Sequence, residues 1–185
     1  MPNKADSGEN EVVNKFARYA EQHHTQKGTE AVALIGLCLF GIAFVPLPNS
    51  GKAKASFRVS AEDVSRGLRA LAKEKAWRAI LAHSHAQGAG TPSNRFPEGD
   101  VQEMGDPIWV SAMNRFLSDL GITPPIVHLV YSLNGKYRFV QIDQRIGNWV
   151  SRKRGRGCVT VRLGWRQLSW KEVLRLGEND GVHDD

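Results

Sequence analysis

Ala31–Leu47, AVALIGLCLFGIAFVPL, is the stretch on which the fold turns: 17 residues in a row without a charge. A run of this length sits at the lower edge of what spans a bilayer as a helix. Gly36, Gly41 and Pro46 interrupt it, and no cluster of bases flanks it to set a topology. The competing reading is one or two buried strands bending at a glycine, and it is the one favoured here. A membrane location is therefore not expected, and the chain is read as cytoplasmic.

Upstream, Val12, Val13, Phe16, Ala17 and Ala20 recur at helical spacing and predict an amphipathic helix over 10–24. Residues 1–11 are polar, are expected to fray, and lack the pattern of a secretory signal. Downstream, Pro48-Asn49-Ser50-Gly51 marks a turn and 55–59 a short strand. Ser60 then offers an N-cap with Asp63 in the capping-box position. Val64, Leu68 and Leu71 form the apolar stripe of a helix over 61–74. Trp77–Ala82, WRAILA, predicts a buried strand running directly into His83-Ser84-His85, with a Gly/Pro/Ser-rich loop over 87–99. A second helix over 108–120 is expected to break at Thr123-Pro124-Pro125. Strands over 126–131 and 137–142 are joined at Asn134-Gly135, a hairpin signal. Strands alternating with helices and closing in an antiparallel pair predict a mixed α/β (α+β) fold, a β-sheet flanked by helices.

The whole chain has 185 residues, a length that favours one domain, with 41% hydrophobic and 24% charged residues. That composition excludes collagen, coiled coil and wholesale disorder. The two cysteines, Cys38 and Cys158, match no zinc spacing and no redox motif and read as reduced thiols, Cys38 in the core. The net charge of +6 is not evenly spread, because residues 145–175 hold nine bases and one acid. The expected organisation is a flexible N-terminus over 1–11, a domain over 12–144, a basic segment over 145–177 that packs on or extends it, and an acidic tail over 178–185. Arg152, Lys153, Arg154 and Arg156 are the candidate contacts to an anionic partner, nucleic acid or an acidic protein, with Trp165 and Trp170 bracketing Arg166.

The residues that point to chemistry are His83 and His85. In an extended chain residues i and i+2 face the same side, so both imidazoles open on one side of a strand end. Such a pair is a natural start for a zinc site, which takes three or four N, O or S ligands. Taken singly, the neighbouring residues also have ordinary readings. Glu30 can be a solvated residue opening a strand, Ser93 can form a turn with Pro92, and Asp100 can cap a helix. His128, on an apolar strand, reads as a hydrogen-bonded core residue.

Glu30 ahead of the first apolar strand, then His83-x-His85, seven residues ending in Pro92, and Ser93, together form a pattern. It resembles the JAB/MPN-like, or JAMM-motif, metallopeptidases, and the order of elements over 12–142 is similar to the compact prokaryotic and phage-type members. The resemblance implies a JAB/MPN-like (cytidine-deaminase-like) sandwich and a zinc-dependent hydrolase that cleaves a peptide or isopeptide bond in a protein or peptide substrate. It implies His83 and His85 as zinc ligands, Glu30 as the proton carrier and Ser93 as a donor to the oxyanion. The sequence departs from the family where its aspartate is expected three residues after the serine, because Phe96 stands there. Asp100 is then the favoured third ligand, with Glu98 and Asp106 as alternatives. Ala86 also replaces the proline common after the second histidine. Two alternatives accompany the hydrolase: a catalytically inactive JAB-like protein-binding module, and a nucleic-acid-binding protein that uses residues 145–175.

Overall fold

A computed structural model describes residues 4–51, 58–87, 90, 115–143, 149–151, 159–161 and 164–176. The chain begins with helix α1 (Lys4–Lys27) and a hairpin of strands β1 (Val32–Cys38) and β2 (Gly41–Leu47). Helix α2 (Ala61–Lys73) and strand β3 (Arg78–His85) follow, then a helical turn α3 at 115–119. Strands β4 (Thr123–Ser132) and β5 (Tyr137–Asp143) come next, with β6 (Trp149–Ser151), β7 (Val159–Val161), β8 (Gly164–Leu168) and helix α4 (Trp170–Arg175) completing the described chain.

Six strands make one open sheet in the order β2-β1-β3-β4-β5-β8, and β6 and β7 form a separate two-stranded ladder. The large sheet is mixed. β3 and β4 run parallel, and its other neighbours are antiparallel. The fold is thus α/β, with helices packed against a six-stranded mixed sheet. Its two faces carry separate cores. On one, Val12, Phe16 and Ala20 of α1 meet Ile35, Ile80 and Leu129, and Trp170 and Val173 of α4 join them. On the other, Val64, Leu68 and Leu71 of α2 meet Val32, Leu34 and Leu81, with Leu117 and Ile126 beside them.

The uncharged run over 31–47 is the β1–β2 hairpin, and among the described residues no helix is long and apolar enough to cross a membrane. The bend falls at Leu39-Phe40. β1 lies between two strands and is buried along nearly its whole length, so its residues are apolar on both faces. β2 is an edge strand, half-exposed, which is where Pro46 costs no ladder bond. Cys38, at the end of β1, is half-buried rather than in the core.

α2 starts as its sequence requires. Ser60 Oγ accepts the Asp63 N–H at 3.1 Å and donates to Asp63 Oδ2 at 2.6 Å. The helix seats closely because two glycines leave room. A Cβ on Gly67 would stand 2.7 Å from Leu34 Cδ1, and one on Gly36 2.7 Å from Ala76 Cβ. The hairpin at Asn134-Gly135 forms as expected: Gly135 adopts φ 86°, and the Lys136 N–H donates to Asn134 Oδ1 at 3.1 Å.

Three expectations need correction. α1 reaches back to Lys4 instead of fraying to residue 11. Contacts across the fold hold its first turns: Glu9 accepts from the Tyr137 hydroxyl at 2.9 Å, and Gly8 lies against Trp170. Second, Thr123-Pro124-Pro125 opens β4 instead of only ending a helix. Residues before proline favour extended backbone, and the Thr123 N–H donates to the Trp77 carbonyl at 2.9 Å, which docks this segment beside β3. Third, β3 does not stop at Ala82 but continues through His85. The strand expected over 55–59 lies mostly outside the described residues, as does helix 108–120 before residue 115.

The chain after residue 163 adds to this sheet. β8 pairs with β5, and α4 is capped by Ser169 and Glu172 in a reciprocal capping box. Trp170 is buried against Phe139, with ring centroids 5.2 Å apart. Arg166 pairs with Glu172 at 2.6 Å. The Ser169 N–H, and after it Arg166, holds the Glu172 carboxyl down to about 2.

Candidate active site

The site lies on the α2 face of the sheet, at the C-terminal end of β3. Antiparallel pairing sets Val32 opposite His83, so continuing the register by two residues sets Glu30 opposite His85. Val32 and His83 share one face, and period-two alternation puts Glu30 and His85 on it too. On the other side of β3, parallel pairing sets Leu81 beside His128 and His85 beside Ser132, which brings His128 and Ser132 to the same face. Five polar residues therefore gather on a face whose remaining neighbours, Leu34, Leu81 and Ile126, are apolar.

The two histidines converge. Their Nε2 atoms are 3.1 Å apart and the ring centroids 4.9 Å, in an edge-on arrangement. Burial, and after it the nearness of His85 and His128, holds His83 well below the usual imidazole range. Burial also lowers His85. Both rings are therefore neutral at pH 7, the form that binds a metal. His128 is pushed down to about 4 by burial. Its Nε2 and the Oγ of Ser132, which is fully buried, have no hydrogen-bond partner among the described residues.

Glu30 is buried to 5% exposure, and burial pushes its carboxyl up to about 7. A carboxyl with that value exchanges a proton readily at neutral pH. Its backbone is held on both sides. The Ala31 N–H donates to Ser84 Oγ at 2.9 Å, and Asn49 Nδ2 donates to the Glu30 carbonyl at 2.8 Å.

The donors fit two positions of a zinc site. Two nitrogens bound to one tetrahedral zinc at about 2.0–2.1 Å each stand about 3.3 Å apart, close to the spacing of the His83–His85 pair. Among the described residues no group of three His, Cys, Asp or Glu side chains converges to hold a metal ion, so Glu30 does not complete a ligand set with the histidines. Asp100 and Ser93, together with Glu98 and Asp106, lie outside the described residues, and so do Arg152, Lys153, Arg154 and Arg156. The chain after His85 leaves β3 beside the β4–β5 turn. The Leu133 N–H donates to the His85 carbonyl at 3.0 Å, and Gly90 is buried against Lys136.

Gly90 has φ 66°, and a Cβ there would stand 2.8 Å from the Lys136 carbonyl oxygen. Gly90→Ala is expected to cost about 1–3 kcal/mol through backbone strain and overlap. Thermal denaturation should register this as a loss of about 2–4 °C per kcal/mol. An unchanged midpoint would mean that a glycine is not needed at this approach to Lys136.

Sequence reasoning did not find Ser132, nor the roles of Asn49 and Ser84. The strand alternation that places His83 and His85 on one face also turns Ser84 away from it, so Ser84 reads as a spacer. Ser132 becomes visible only through the β3–β4 register. The chain matches no family model and no curated protein sequence.

Proposed function

We propose that this protein is a zinc-dependent hydrolase of the JAMM type that cleaves a peptide or isopeptide bond, on a sheet of the JAB/MPN-like kind. The observation that carries this reading is the pair of neutral imidazoles, His83 buried and His85 half-buried, with Nε2 atoms 3.1 Å apart and a carboxyl at about 7 just ahead of the adjacent strand. His83 and His85 would hold the metal, with Asp100 as the sequence's favoured third ligand. When bound, zinc supplies a Lewis acid and a water whose pKa lies near 7.

The chain's own residues do the rest. Glu30 accepts a proton from the attacking water as the new C–O bond forms, and returns it to the leaving nitrogen as the C–N bond breaks. A value of about 7 suits both directions of transfer at neutral pH. Ser93 would donate a hydrogen bond to the oxyanion. The substrate is a protein or peptide, and the bases at Arg152, Lys153, Arg154 and Arg156 would meet an anionic partner.

The test is zinc titration of the full chain, followed by incubation of the loaded protein with a quenched fluorogenic peptide and a lysine isopeptide conjugate. One tight zinc per chain with turnover of either probe supports the reading. Zinc binding without turnover of any amide supports the second reading, a JAB-like binding module. That reading draws on the missing aspartate at Phe96 and on an Nε2–Nε2 spacing that also suits a direct hydrogen bond between the two rings.

The raised Glu30 value also has a consequence for the zinc-free fold. The folded state keeps Glu30 protonated up to about pH 7, whereas the unfolded chain ionises it near 4.5. The contribution of Glu30 to stability is therefore fully present below pH 4.5 and is lost as pH rises to about 7. The lowered histidines act oppositely, since their stability contribution is present above 6.5 and is lost as pH falls. Comparing the wild type with Glu30→Gln in chelator isolates the Glu30 effect. The melting temperature of the variant relative to wild type should climb from pH 4.5 to about 7 and then level off. A difference that does not vary with pH would show that Glu30 titrates as an ordinary carboxyl.

A further inference from the structure

We propose that Asn49 and Ser84 are positioning residues for Glu30, gripping the single peptide unit between Glu30 and Ala31 from its two sides. This inference rests on the reading of Glu30 as the proton carrier. The Glu30 carbonyl and the Ala31 N–H belong to one planar peptide group. Asn49 Nδ2 donates to its oxygen at 2.8 Å, and Ser84 Oγ accepts from its nitrogen at 2.9 Å. Both ladder partners of this peptide are thus side chains, not backbone.

Each grip is itself anchored. Asn49 Oδ1 accepts the N–H groups of Gly51 at 2.8 Å and Arg58 at 2.9 Å, which tie the turn after β2 to the approach to α2. Ser84 is buried to 2% exposure, and its own N–H donates to the Ala31 carbonyl at 3.0 Å. Ser84 also stands between the two histidines, with its side chain on the opposite face of the strand. The residue that separates His83 from His85 in sequence therefore fixes the height of Glu30 along the neighbouring strand. Asn49 fixes the direction in which that peptide faces. Together the two grips fix the peptide from which the Glu30 side chain departs, and so restrict its swing from the histidine end of the sheet towards water. A serine hydroxyl is suited to this place, because it supplies the acceptor for the Ala31 N–H that alanine lacks.

The experiment follows the Glu30 carboxyl by carbon-13 NMR in the full-length, chelator-treated protein, with the resonance assigned by its loss in Glu30→Gln. Hydrogen exchange of the Ala31 amide is measured in parallel. Ser84→Ala and Asn49→Ala should each lower the titration midpoint by at least one unit, since a released carboxylate reaches water. Ser84→Ala should also speed Ala31 exchange at least tenfold. Ser84→Thr, which restores the hydroxyl, should return both readings to those of wild type. Should Asn49→Ala fail to fold, the Ser84 pair of variants decides. A midpoint unmoved in Ser84→Ala, or lowered equally in Ser84→Ala and Ser84→Thr, overturns the proposal. A protein that binds no zinc would sink the hydrolase reading and leave this titration result standing, so the two failures are distinguishable.

Discussion

Glu30→Gln is expected to lower hydrolysis by about 10²–10⁴-fold, the usual contribution of a positioned general base, while zinc stays bound. The amide keeps the size of the side chain and much of its hydrogen-bonding capacity but cannot take a proton. Its peptide should remain gripped by Asn49 and Ser84, because both bonds are to backbone atoms. The fold should be unharmed, and at pH 7 the zinc-free variant should be no less stable than wild type, because burial disfavours the native carboxylate. Steady-state kinetics should place the loss in kcat rather than KM, since the role proposed for Glu30 is to move the proton and not to bind substrate. Zinc binding should be unchanged, because Glu30 completes no ligand set with the histidines. A variant that hydrolyses as fast as wild type would remove Glu30 from the mechanism. One that loses zinc would make it a ligand instead.

His83→Ala should weaken zinc binding by more than 100-fold. Loss of an outer partner of a ligand already costs about 10–100-fold, and loss of the ligand costs more. Hydrolysis should fall with the metal, and zinc should no longer raise the melting temperature, since stabilisation by a ligand follows its occupancy. His83 is also buried on the α2 face, so the alanine leaves a void and the zinc-free protein should melt lower than wild type. His85→Ala separates the two effects. His85 is the less buried of the pair, so its loss should abolish zinc binding with a smaller change in zinc-free stability. Equal zinc affinity in wild type and both variants would contradict a site built on the pair.

Much of the fold is legible in the sequence because local chemistry and tertiary structure agree. Asn134-Gly135 has one good turn to make, and Ser60 with Asp63 has one good cap. The apolar run over 31–47 resolves into a hairpin that turns at Leu39-Phe40, with Gly41 at φ 94° opening the second strand. What is not legible depends on residues far apart in sequence. The first turns of α1 carry no apolar stripe and persist through Tyr137 and Trp170. Thr123-Pro124-Pro125 reads as a break until the Trp77 carbonyl offers Thr123 a partner.

The site divides in the same way. Strand alternation alone puts His83 and His85 on one face, because they are two residues apart. The nearness of Glu30 depends on the β1–β3 register, and the places of Ser84 and Ser132 depend on which strands flank β3. Cys38 is expected in the core because its neighbours are apolar, yet it ends the strand beside an exposed turn.

His83 and His85 are expected to bind one zinc together. Zinc K-edge X-ray absorption on the full chain loaded with one equivalent of zinc tests it most directly. The expected spectrum shows two imidazole nitrogens at about 2.0–2.1 Å in a four-coordinate shell, with the imidazole signal lost in both His83→Ala and His85→Ala. A six-coordinate all-oxygen shell in wild type, or an imidazole signal that survives both substitutions, would contradict it.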